Sequence, residues 1–140
     1  MNEAKKAALA AIDEKKDLIA QVADEVWDYA ELSMQEVKSA ALFVKVLKAE
    51  GFQVEEGICN IPTAFSASYG SGKPVIGFLA EYDALSGLSQ EAGSTEYHEL
   101  VKGGSGHGCG HNLLGAGAMA AAIGMKHYLE QTGCPGTVIL

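Results

Sequence analysis

The sequence predicts an α/β fold, a mixed sheet flanked by helices. Three observations carry that expectation. The chain opens with amphipathic helical patterning. An unbroken apolar run over residues 75–80 has the character of a strand buried on both faces. A helix of small residues over 113–130 then leads into a second apolar strand starting at Thr137. With 140 residues, there is room for one domain or for a piece of a larger one.

In chain order, residues 3–30 read as one helix. Ile12, Ile19, Val22, Val26 and Ala30 form its apolar stripe, and Lys5, Lys6, Asp13, Glu14, Lys15, Lys16 and Asp24 form a solvated face. A second helix is expected from Ser33, because Ser33 and Glu36 have the spacing of a capping box. Val37, Ala40, Ala41, Val44 and Leu47 supply its buried side, and Gly51 ends it. Residues 52–56 and 63–69 read as neighbouring strands, the second followed by a Gly70-Ser71-Gly72 turn. The run over 75–80 delivers Glu81-Tyr82-Asp83 at its carboxyl end. Residues 86–106 show no helical stripe and read as a long, functional loop. Gly133 stops the small-residue helix. The last four residues, Thr137, Val138, Ile139 and Leu140, begin an apolar strand, so the chain reads as the first part of a longer protein. An uncovered sheet edge there, including Val138, Ile139 and Leu140, predicts self-association and a homo-oligomer.

Composition narrows the partners. Lys+Arg is 10 against Asp+Glu 18, a net charge of -8, which disfavours nucleic acid and anionic membrane surfaces. No apolar run reaches the length of about 20 residues that a membrane-spanning helix needs. Three widely spaced cysteines, Cys59, Cys109 and Cys134, suit a reducing, cytoplasmic setting better than a disulfide framework.

Chemistry concentrates in two places. The first is Gly106-His107-Gly108-Cys109-Gly110-His111-Asn112. Thiolate and imidazole are favoured ligands of zinc and related ions. The flanking glycines permit close approach, and the helix start that follows favours a thiolate. A structural zinc site would need a second ligand pair; His98, His127, Cys59 and Cys134 are scattered and do not form one. A nucleophilic Cys109–His111 dyad is a rival reading that spacing does not separate from metal binding. The second place is Glu81 with Asp83. Two residues apart at the end of a strand, these carboxylates point to one side, into the crevice where open α/β sheets bind ligands.

Glu81-Tyr82-Asp83-Ala84-Leu85, followed by His107-Gly108-Cys109-Gly110-His111-Asn112, resembles the metal-dependent aminoacylase/carboxypeptidase-type amidohydrolases. Within that family the match is to the branch of the p-aminobenzoyl-glutamate hydrolase B subunit and related dipeptidases. The segment from Ala30-Glu31-Leu32 to Glu36 resembles the family's Pro-Glu-Leu segment, with Ala30 in place of Pro, and Gly51-Phe52-Gln53-Val54-Glu55 also matches. Ser86 stands where Pro is commoner.

The resemblance implies a zinc-peptidase-like catalytic domain, incomplete at its C-terminal side. Residues 1–140 would be the N-terminal portion of that domain, without the lid and dimerisation domain. It implies two divalent ions, zinc or manganese, and hydrolysis of an amide bond in N-acyl amino acids, dipeptides or aminobenzoyl-glutamate-like substrates. Cys109 and His111 occupy metal-ligand positions, and Asp83 that of the carboxylate supporting the metal centre. Glu81 lies where relatives carry Asp or, in distant branches, a metal-binding His. The family's Glu-Glu pair, whose first member is the general base, and its two later histidines have no counterpart in these residues. The 140-residue chain alone is therefore expected to be inactive. The rival from another class is a non-catalytic subunit or binding module that keeps the fold and a partial metal site.

Overall fold

A computed structural model describes residues 2–140. Helix α1 (Glu3–Glu14) is capped by Asn2, whose side chain accepts a hydrogen bond from the Lys5 amide at 2.9 Å. Helix α2 (Lys16–Tyr29) follows at once. The single helix expected over 3–30 is thus two helices, parted at Lys15, where φ is -95° and ψ 6°. The turn Asp13-Glu14-Lys15-Lys16 carries no apolar side chain, so packing does not hold it in register with the core. Instead Lys15 reaches Glu50 at 2.5 Å. Both helices then lie against the long helix near the end of the chain.

Helix α3 (Val37–Ala49) begins four residues later than its expected start. Ser33 does not cap it. The Glu31 carboxylate takes that role, accepting from the Lys38 amide at 3.0 Å and from the Ser39 amide and hydroxyl at 2.9 Å each. A carboxylate held by three donors at a helix N-terminus outcompetes a serine hydroxyl for the same amides. Gly51, at φ 87°, turns the chain out of α3 as expected.

The strands are β1 (Gln53–Glu56), β2 (Phe65–Ser71), β3 (Val75–Gly77) and β4 (Gly136–Ile139), in spatial order β1-β2-β4-β3. β2 is antiparallel to both β1 and β4, and β3 is parallel to β4, so the sheet is mixed. Two expectations change here. The run over 75–80 is not buried on both faces. It pairs only with β4, on the outer edge, and leaves the sheet after Phe78, with Val75 and Ile76 exposed and Leu79 94% exposed. Conversely, Val138 and Leu140 are buried, because β4 runs between two partners and Leu140 exchanges both backbone hydrogen bonds with Ala67. The uncovered apolar edge is therefore β3, not the last residues.

Helix α4 (His111–Thr132) runs from the Gly-rich segment to Gly133. Met119, Ala122 and Ile123 enter the core with Val22, Val26, Phe43, Leu47 and Val138. A side chain at Gly115 would come within 2.8 Å of the Phe43 ring and 3.0 Å of the Glu81 carbonyl. The missing side chain is what lets α4 lie this close to the end of the sheet.

Candidate metal centre

The carboxyl end of β3 leads into residues 78–85, an extended segment pinned at two points. The Ala84 amide donates to the Glu31 carbonyl at 2.7 Å, and Leu85 exchanges two 3.0 Å hydrogen bonds with Gly106. These contacts bring the two chemical motifs side by side. Gly106 is required at its place, since a Cβ there would sit 2.0 Å from the Leu88 carbonyl oxygen.

Tyr82 anchors the segment from the inside. Its ring packs against Phe43 and Phe65, at 5.3 and 6.0 Å between centroids, and its hydroxyl donates to the Thr63 carbonyl. Burial, reinforced by the Glu36 carboxylate, pushes the Tyr82 phenol up to about 12. With Tyr82 turned inward, Glu81 and Asp83 face the opposite way, as their spacing predicts. Both meet one imidazole: Asp83 Oδ1 lies 2.8 Å from His111 Nδ1, and Glu81 Oε2 lies 3.0 Å from His111 Nε2. His111, in the first turn of α4, is 17% exposed, Asp83 22% and Glu81 61%. The ring therefore has one well-covered side and one open side.

The sequence-predicted residues separate into two groups. His111, Asp83 and Glu81 come together. Cys109 is free and exposed, and among the described residues no three His, Cys, Asp or Glu side chains converge as a ready metal-holding group. His107 points away from the cluster. It is 4% exposed, its Nε2 donates to the Val26 carbonyl at 2.9 Å, and its ring lies 6.3 Å from that of Trp27. Burial pushes its imidazole below the usual range, against the pull of that backbone bond. Asn112 donates in parallel to the Ala23 carbonyl at 3.2 Å. These two side chains fasten the 106–112 segment to the last turns of α2. Cys59, in a single 3-10 turn over Ile58–Asn60, and Cys134, just after α4, are both exposed. Glu31 and Glu36, quoted in the sequence only as part of a motif, emerge as a helix cap and a buried carboxylate; neither role had a signal in spacing.

The donor chemistry fits a divalent ion in part. A metal-binding histidine commonly gives one ring nitrogen to a carboxylate, which fixes the ring and leaves the other nitrogen for the ion. Asp83 and His111 have that arrangement, with Nε2 on the open side beside Glu81. Nitrogen, carboxylate oxygen and a free thiol two residues before His111 are ligand types that zinc accepts.

No family model matches the chain. The chain is 49% identical over 128 residues to the p-aminobenzoyl-glutamate hydrolase B subunit of Escherichia coli (strain K12), covering 91% of this chain and 27% of that protein. The resemblance to the metal-dependent aminoacylase/carboxypeptidase-type amidohydrolases thus extends over most of the chain. It is also 27% identical over 144 residues to the Xaa-Arg dipeptidase of Mus musculus, covering 96% of this chain and 30% of that one. To the thermostable carboxypeptidase 1 of Saccharolobus solfataricus it is 33% identical over 103 residues, covering 72% and 25%. The chain spans about a quarter to a third of the length of these relatives. Among solved structures, the Bacillus subtilis YXEP protein, a dinuclear metal-binding peptidase from the M20 family, superposes with a TM-score of 0.61 at 25% identity, covering 89% of this chain and 34% of that one. A crystal structure from methicillin-resistant Staphylococcus aureus superposes with a TM-score of 0.76 at 21% identity, over 96% of this chain and 33% of that one, and shows the same mixed α/β fold.

Proposed function

We propose that these residues contribute one side of the metal centre of an amide hydrolase. Its substrates would be N-acyl amino acids, dipeptides or aminobenzoyl-glutamate-like amides. The observation that carries this reading is the Asp83–His111–Glu81 cluster beside the free Cys109, in a chain 49% identical to one polypeptide of a p-aminobenzoyl-glutamate hydrolase. Cys109 and His111 are the metal ligands of this reading, and Asp83 is the support that holds the His111 ring. Two divalent ions, zinc or manganese, would serve the complete centre; the dinuclear YXEP protein supports the number. A bound ion of this kind polarises an amide carbonyl and lowers the pKa of a water.

The chain's own residues have defined parts. Asp83 accepts from Nδ1 and so presents Nε2 outward. Tyr82 and the Glu31 and Gly106 backbone hold the Asp83 segment at fixed distance from α4. His107 and Asn112 keep the Cys109 loop on α2. None of these side chains is placed as a general base for the attacking water, so we infer that the 140-residue chain does not hydrolyse amides by itself. We further place the protein in the cytoplasm as a homo-oligomer. Three widely spaced cysteines that form no disulfide framework support the first, and the exposed β3 edge supports the second.

The test is a chimera in which these 140 residues replace the matching stretch of the Escherichia coli protein. Hydrolysis of p-aminobenzoyl-glutamate with added zinc or manganese is expected, and its loss in Cys109→Ala. A chimera that folds and binds metal but never turns over would favour the non-catalytic module.

A further inference from the structure

Beside the proposed metal centre, and sharing Glu81 and Asp83 with it, lies a cleft whose third carboxylate, Glu36, the hydrolase reading does not use. The cleft, of about 440 Å³, opens between the start of α3 and the segment after β3. Glu36, Glu81 and Asp83 contribute carboxylates to its lining, and Phe65, Leu79 and Leu140 contribute apolar wall. No Lys, Arg or His is among the described residues that line it. Glu81 and Asp83 have His111 as partner. Glu36 has none. It is 8% exposed, its Oε2 is buried without a hydrogen-bond donor, and no cationic side chain pairs with it among the described residues.

Glu36 immediately precedes α3, where its carboxylate would ordinarily cap the helix. It makes no such bond, because Glu31 already holds the Lys38 and Ser39 amides. A buried carboxylate without a donor is costly and is retained in folded proteins where something supplies the missing positive charge. Here the charge has to come from outside these residues, and the wall it must pass is apolar.

We propose that this cleft binds an organic cation, an ammonium or guanidinium group carried on an alkyl stem, with Glu36 as the group that recognises it. The stem lies along the apolar wall and the cationic head donates to the Glu36 carboxylate. As a substrate subsite this rests on the hydrolase reading, for it would select amides with a basic side chain. As a cation-binding cleft it does not, and the test addresses binding alone.

The 140-residue chain, held metal-free with EDTA, is titrated by calorimetry with n-butylguanidinium and with the neutral isostere n-butylurea. Hydrogen bonds to charged groups correspond to factors of roughly 10–100 in affinity, so n-butylguanidinium is expected to bind at least about tenfold more tightly. Glu36→Gln should remove most of that preference. Should Glu36→Gln fail to fold, exposed Leu79 supplies a second pair. Leu79→Lys, which places an ammonium in the cleft lining, should weaken n-butylguanidinium severalfold more than Leu79→Gln, which removes the same apolar side chain without adding charge. Equal affinity for the two probes, or indifference to both Glu36→Gln and Leu79→Lys, would overturn the proposal.

Discussion

Asp83 Oδ1 and His111 Nδ1, 28 residues apart in sequence, lie 2.8 Å from one another. This bond joins the segment after β3 to the first turn of α4 and orients the imidazole with Nε2 toward Glu81. In the proposed metal centre its function is orientation, so its loss should be felt in metal affinity rather than in folding. Losing a carboxylate partner of a ligating histidine costs about 10–100-fold in affinity. Asp83→Asn is expected to weaken zinc binding by that factor while leaving the helical circular dichroism unchanged.

The caps of α3 can be separated by mutation. Glu31→Ala removes three hydrogen bonds at the helix start and is expected to cost about 1–2 kcal/mol, as measured for lost N-caps. Ser33→Ala, at the position that the sequence pattern favours, should stay within about 0.5 kcal/mol of the parent, as for a surface substitution that breaks no bond. Denaturant unfolding of the two variants measures the difference. Equal losses would contradict the assignment of Glu31 as the cap.

That contrast shows where the sequence was legible and where it was not. Strands, the small-residue helix and the chemical motifs were readable because each rests on local period or on residue type. The break at Lys15 was not, since a run of charges is equally at home in a helix or a turn. The capping role of Glu31 depends on a carboxylate reaching over seven and eight residues, outside any local pattern. Residues 75–80 have the composition of a central strand, yet strand order is a property of the whole sheet, and β4 took the centre. In the candidate site, spacing placed Glu81 and Asp83 on one side, and the structure brings both to His111. Spacing could not show that His107 turns inward to Val26 while Cys109 stays exposed, because alternation fails in a glycine-rich loop.

The loop itself tolerates little at Gly106. A Cβ there would meet the Leu88 carbonyl oxygen at 2.0 Å, a clash with backbone that no side-chain rotation relieves. Gly106→Ala should destabilise the chain by about 1–3 kcal/mol, in the range of overpacking, and should weaken zinc binding with it. Thermal unfolding with and without zinc is the measurement. An unchanged melting temperature would show that residues 86–106 are not packed as described.

Self-association should follow the β3 edge rather than the last residues. Val75 and Ile76 are exposed on a strand paired on one side only, and charged side chains on such edges discourage pairing. Sedimentation at high protein concentration is expected to show dimers or larger species in the parent and a shift toward monomer in Val75→Lys.

The central claim is that Cys109 and His111 bind metal, and zinc calorimetry on the 140-residue chain tests it most directly. The account predicts weak but measurable binding to the parent, since two protein ligands fall short of the about three that a catalytic zinc site retains. It also predicts further weakening in Cys109→Ser and in His111→Ala, each with the fold intact. Tight binding that both variants leave unchanged would contradict it.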